Sequence, residues 1–260
     1  MQKKIIALAV AALASGYAVA QSNVTVYGIV DVGYNYFSAN GNKYSGINDG
    51  GTGGLNTSRF GFKGEEALGN GLKAIFAVEY GLSADTGALN TTARQTWAGL
   101  SGNFGTVTAG RQYSPSGLWM GNTSSNSITS VHASNYVTGQ FLTMQTGNGS
   151  RWDNSIAYQT NDFSGFSARA IYGFGENVRD SYGDASTDAS RFGLGAQYAN
   201  GPVYVTAIYQ AVLANDAVVN NDGNKAWLLG GSYDFKVVKL FANYAREKDE
   251  RTATEVTKKY

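Results

Sequence analysis

Between residues 57 and 111 the chain repeats one two-sided pattern four times. In residues 58–64, Phe60 and Phe62 share one phase while Arg59, Gly61 and Lys63 share the other. In residues 72–80, Leu72, Ala74, Phe76, Val78 and Tyr80 alternate with a phase that carries Lys73 and Glu79. Successive side chains on a strand point to opposite faces, so each segment is a ribbon with one apolar and one polar side. Asn70-Gly71 between the first two is a strong hairpin signal. Residues 94–100 and 105–111 form a second hairpin divided the same way. Such a ribbon must cover its apolar side with something, either a core or lipid.

Nearly all of the chain obeys this rule. Val24, Val26, Val30, Val32, Tyr34 and Tyr36 share a phase against Thr25, Asp31 and Asn35. Trp152, Ile156 and Tyr158 oppose Arg151, Asp153, Ser155 and Gln159, and Phe166, Ala168, Ala170, Tyr172 and Phe174 oppose Ser167 and Arg169. Four more segments, at residues 190–198, 203–213, 225–235 and 237–246, repeat the division, so eleven strands are expected in all. Connections alternate between short turns (66–71, 102–105, 161–165, 199–202, 235–237) and long loops (38–56, 83–92, 112–150, 175–189, 214–224). Short turns on one rim and long loops on the other describe an antiparallel transmembrane β-barrel. A secreted β-sandwich would also alternate its loops, but it buries its apolar face in a core. Inward charges on most strands, and strand lengths of roughly ten residues that suit a tilted crossing, favour the barrel.

The beginning of the chain agrees. Lys3 and Lys4 precede an apolar run that ends in Ala18-Val19-Ala20, the layout of a secretory signal peptide cleaved after Ala20. Residues 21–260 then form the barrel domain. A membrane anchor is the competing reading, but the apolar stretch falls short of the roughly 20 residues a spanning helix needs. Without the two lysines, 18 basic and 19 acidic residues remain, a formal charge near −1 that points to no nucleic-acid partner. The chain has no cysteine, which excludes disulfides, thiolate metal sites and a cysteine nucleophile.

The segments SRFGFKG (58–64), LGNGLKAIFAVE (68–79), RQTWAGLSGNFGTVTAGRQ (94–112) and DFSGFSARAIYGFGE (162–176), with the opening NVTVYGIVDVG (23–33), resemble the general diffusion porins of betaproteobacterial outer membranes. The resemblance extends from the signal peptide to about residue 246. It implies outer-membrane location, sixteen antiparallel strands of which eleven or twelve are present here, a homotrimer, and a long third loop folded into the lumen. It also implies that wall arginines at positions like Arg59, Arg94 and Arg151 line the pore constriction.

Phase alone places Arg59, Arg94 and Arg151 inward if Phe60, Trp97 and Trp152 face lipid; Arg111 stands at the junction of strand and loop. Guanidinium stays protonated at physiological pH and offers rigid donors to carboxylate or phosphate. The loop at 112–150 contains neither Asp nor Glu. Arg59, Arg94, Arg111 and Arg151 are therefore the expected constriction, passing small anions and hydrophilic solutes. The alternative is that Asp31, Glu79 and Asp153 neutralise them, with Asp153 two places from Arg151.

An enzyme is not expected. The single histidine, His132, lies in a polar loop without a neighbouring carboxylate to orient it as a base. No Cys/His/Asp cluster has metal-ligand spacing, and no cofactor is expected. A non-conducting adhesive barrel is the other class to separate. The last segment, residues 247–260, is charged on both phases and lacks a strand ending in phenylalanine, so the chain reads as a partial sixteen-stranded porin. A twelve-stranded barrel ending in a strand at 252–260 is the other reading.

Overall fold

The computed structural model describes residues 23–39, 41–50, 56–123, 150–179, 185–188, 190–213, 224–249 and 256–259. The expected signal peptide, His132 and most of the 112–150 loop lie outside them. In chain order the strands are β1 (Asn23–Ile29), β2 (Val32–Ala39), β3 (Asn42–Asp49), β4 (Arg59–Gly69), β5 (Leu72–Ser83), β6 (Ala88–Leu89), β7 (Gln95–Gly102), β8 (Gly105–Tyr113), β9 (Arg151–Gln159) and β10 (Phe166–Gly173). They continue as β11 (Glu176–Arg179), β12 (Ala185–Asp188), β13 (Arg191–Asn200), β14 (Val203–Val212), β15 (Asn224–Asp234), β16 (Lys239–Asp249) and β17 (Val256–Lys259). A short helix, α1 (Pro115–Trp119), and a 3-10 turn (Met120–Thr123) follow β8.

One antiparallel sheet of thirteen strands dominates, in the order β1-β4-β5-β7-β8-β9-β10-β13-β14-β15-β16-β17, with β6 paired to β5. Every expected strand has a counterpart in it. The Asn70-Gly71 hairpin forms as the sequence predicts: both residues have positive φ, 51° and 77°, joining Gly69 to Leu72. β17 falls within the expected twelfth strand and pairs with β16 from Asp249↔Val256 to Arg246↔Lys259. Among the described residues no ladder joins β17 to β1.

Three loops carry more structure than expected. The 24–36 segment is two strands, because the Asp31 backbone leaves the ladder. The Asp31 carbonyl accepts from Gly50 N (2.7 Å) and Ser58 Oγ (3.1 Å), and Ser58 Oγ accepts from Asp31 N (2.9 Å). β2 then pairs in a separate hairpin with β3, which lies in the expected 38–56 loop, and Phe37 stacks on Tyr44 with ring centroids 5.3 Å apart. The 175–189 loop holds the β11-β12 hairpin, and the 83–92 loop holds β6.

Sidedness is plain where neighbouring residues share a side-chain type. Leu228 is 1% exposed and Leu229, one residue on, is 54% exposed. The outward set includes Val26, Phe62, Leu194, Val205, Leu229 and Leu240, all exposed, and the face on the other side carries Arg59, Glu79, Gln112, Arg169 and Gln210. An apolar face this continuous on the outside of a sheet is the lipid-facing band of a membrane barrel.

The loop after β8 turns into the hollow of the sheet. Trp119 and Met120 join Ile208 of β14, Ala226 and Leu228 of β15 and Ala245 of β16 in one buried cluster. Ser116 N donates to Gln210 Oε1 (2.8 Å), and Tyr204 OH donates to Trp119 O (3.2 Å). From β8 to β15 is five strand-to-strand steps, roughly 24 Å across a flat sheet. The chain advances only seven residues from Tyr113 to Met120, five of them helical, which covers about 15 Å. The sheet therefore curls, and the root of the third loop lies inside it. Gly193 and Gly195 make room: a Cβ on Gly195 would sit 2.6 Å from Trp119 and 2.8 Å from Pro115.

Candidate functional site

The inner wall near β1, β4, β5 and β7 is built on one cross-strand row. Tyr27 pairs with Gly61, Gly61 with Glu79, and Glu79 with Gln95. Because Gly61 has no side chain, the Tyr27 ring lies across it, with its hydroxyl 2.9 Å from where a Cβ would stand. That hydroxyl donates to Glu79 Oε2 at 3.1 Å. Glu79 is buried, and its other oxygen accepts from Arg94 Nε at 2.7 Å. Arg59 Nε stands 3.9 Å from Glu79 Oε2. Arg94 Nη2 donates to Tyr113 OH (3.1 Å), and so does Arg151 Nη2 (2.6 Å). The Arg151 guanidinium also lies 4.4 Å from the Tyr113 ring centroid, a cation–π contact.

Arg59, Arg94 and Arg151 are thus brought together around Glu79 and Tyr113. Arg111 is not. It pairs in register with Thr96, one place off from the inward Trp97–Gly110 pair, and its Nη1 binds Asp153 while its Nε donates to Ala93 O at 2.6 Å. Asp153 therefore compensates Arg111 and not Arg151.

The phase argument for the arginines needs three corrections. Trp97 does not face lipid: it is paired with Ala77, its Nε1 donates to Gln95 Oε1 (3.3 Å), and it lies on the inner face. Arg94 reaches inward because it precedes β7, its N donating to Glu79 O at 2.7 Å, so strand alternation does not govern it. Trp152 is also inside, fully buried with Ala157 and Ile171. A register shift between Gly110 and Gln112, with Asn154 opposite at φ 45°, changes the phase of β9 just there.

Arg169 and Gln112 were missed as site residues. Arg169 is 8% exposed on the inner face of β10 and donates to Gln159 Oε1, Gln112 Oε1 and Tyr113 O. The signal was its place on the polar phase of a strand that carries no acidic residue.

A curled antiparallel sheet, greasy outside, lined by guanidinium groups and with a loop root folded into its hollow, is the wall of a transmembrane β-barrel. The Gram-negative porin family matches residues 7–260. An outer membrane porin protein of Bordetella pertussis is 34% identical over 96% of this chain and 70% of its own length. Outer membrane porin protein 32 of Delftia acidovorans is 36% identical over 92% of this chain and 68% of its own length. Among solved structures, the anion-selective porin from Comamonas acidovorans superposes with a TM-score of 0.72 at 29% identity, covering 92% of this chain and 72% of that one. The chain belongs to the Gram-negative porin family, and its place is the outer membrane. That family consists of channel proteins, not enzymes.

Proposed function

We propose that the chain, exported by residues 1–20, forms a water-filled channel for passive diffusion of small hydrophilic solutes and ions, with a preference for anions. One observation carries the sign: three guanidinium groups, Arg59, Arg94 and Arg151, converge where Glu79 is the one carboxylate, Arg59 and Arg94 pairing with it and Arg151 donating to Tyr113 OH, which leaves this cluster with two net positive charges. Rings of charge in a narrow pore select by sign. The loop sequence at 112–150 has no acidic side chain to cancel them. The solved relative described as anion-selective supports the same sign. Arg111 is left out of this set because Asp153 takes up its charge. Assembly as a homotrimer, which the resemblance implies, belongs to the same reading.

The test is the zero-current potential of the refolded protein in planar bilayers under a KCl gradient. Replacing Arg59, Arg94 and Arg151 together with Gln is expected to reverse the local charge from two positive to one negative and to move the potential toward the cation-selective sign. An unchanged potential contradicts the assignment. Swelling of liposomes in neutral sugars separates a conducting channel from an adhesive, plugged barrel in the same preparation.

A further inference from the structure

Arg169 touches the backbone of Tyr113 but makes no ion pair with Glu79. It is 8% exposed, its three hydrogen bonds all go to neutral oxygens (Gln159 Oε1 3.2 Å, Gln112 Oε1 2.9 Å, Tyr113 O 3.1 Å), and its Nε has no partner. Among the described residues it forms no ion pair. Burying a cation against neutral acceptors alone leaves its desolvation uncompensated, so an anion at this place gains what the protein itself does not supply.

The guanidinium lines a cavity of about 230 Å³ on the inner face of β7 to β10, roofed by Leu118 of α1. Gln95, Thr108 and Gln159 give the cavity polar walls, and Trp97 and Leu118 give it an apolar side. Gln112 is held in place, its amide nitrogen donating to Thr108 O and to the Ser155 carbonyl and hydroxyl, so that its oxygen faces Arg169. One fixed cation, hydroxyl and amide groups, and one flat apolar wall match a solute with a carboxylate at one end and a compact apolar body at the other.

We propose that this pocket behind the root of the third loop is a binding subsite for small organic monocarboxylates, with Arg169 as its anion-binding group. Solute held there is withdrawn from the file of ions at the Arg59, Arg94 and Arg151 wall and returns to it. The subsite rests on the channel reading above, since the lumen is its route of entry.

Calorimetric titration of the refolded protein in detergent with sodium benzoate, against sodium chloride as control, tests the subsite without requiring conduction. Saturable benzoate binding is expected, weakened about tenfold or more in Arg169→Gln, since charge-assisted hydrogen bonds are the strong ones, and partly kept in Arg169→Lys. Heat-modifiable migration on gels checks that each variant is folded. If Arg169→Gln does not fold, Arg169→Lys and Thr108→Val, both expected to weaken benzoate relative to the wild type, carry the comparison. Benzoate binding that is equal in wild type and Arg169→Gln, or that vanishes only when Arg59, Arg94 and Arg151 are replaced, overturns the subsite and leaves the channel reading intact. So does the absence of saturable binding, which would make Arg169 a clamp on the loop root alone. Normal benzoate binding by a protein that conducts nothing overturns the channel reading instead.

Discussion

Trp152→Ala is expected to lower the unfolding free energy of the refolded barrel by about 3–5 kcal/mol, the range for deleting a fully buried indole, read as an earlier midpoint in urea. The ring is completely enclosed, although the next large apolar side chains on its strand, Ile156 and Tyr158, are exposed. Its neighbours explain the burial. Trp152 packs with Ala157 and Ile171, and Gly193 of β13 leaves space under the ring, where a Cβ would stand 3.0 Å from the indole. Small residues on β9 and β13 thus form a socket for one large one. Because the loop root leaves β8 beside this socket, with Gln112 in register with Trp152, an alanine here is also expected to loosen the loop and broaden single-channel current levels. A midpoint within experimental scatter of the wild type would show that the ring is not a structural plug.

Glu79→Gln is expected to do two things at once: destabilise the barrel by about 3–5 kcal/mol, as for a buried pair stripped of one partner, and increase anion preference. Glu79 accepts from Tyr27 and Arg94 and lies near Arg59, so its charge holds three side chains in one arrangement. Gln can still accept one hydrogen bond, but it leaves Arg59 and Arg94 facing each other without a carboxylate between them. The cluster of Arg59, Arg94 and Arg151 then carries three positive charges in place of two, and the zero-current potential moves further toward the anion. A shift toward cations would mean that Glu79 does not belong to the ion path.

The sequence revealed the sheet but misjudged part of its inner surface. Two-residue alternation is a property of the strand itself, so Phe60, Leu194, Leu229 and Leu240 could be placed outward from their phase alone. Asn70-Gly71 was equally legible, because positive φ at two consecutive residues demands that chemistry. Trp97 was misplaced because an aromatic was assigned to lipid on the assumption that everything inside is water, and Trp152 because the register shift at Asn154 reverses its phase relative to Ile156 and Tyr158. The folded-in loop root makes part of the inside dry, which is also why Ile208, Ala226 and Leu228 are buried there. Glycines at 193 and 195, on the inward phase of an otherwise well-filled strand, were the available sign that something large packs against that face. The phase change at Asn154 has no comparable signature, since a bulge is set by the partner strand as much as by its own residues. Of the four arginines expected at the constriction, three converge, and the fourth was drawn off by an aspartate whose side of the strand had been reversed by that bulge.

One face of this sheet meets lipid and the other meets water, and the absence of any native cysteine allows this to be measured directly. Single cysteines at Lys63 and Gln95, on the inner face, and at Leu194 and Leu229, on the outer face, would be exposed in proteoliposomes to a charged, membrane-impermeant thiol reagent. The predicted result is rapid labelling at positions 63 and 95 and protection at 194 and 229. Labelling at 194 and 229 with protection at 63 and 95 would contradict it.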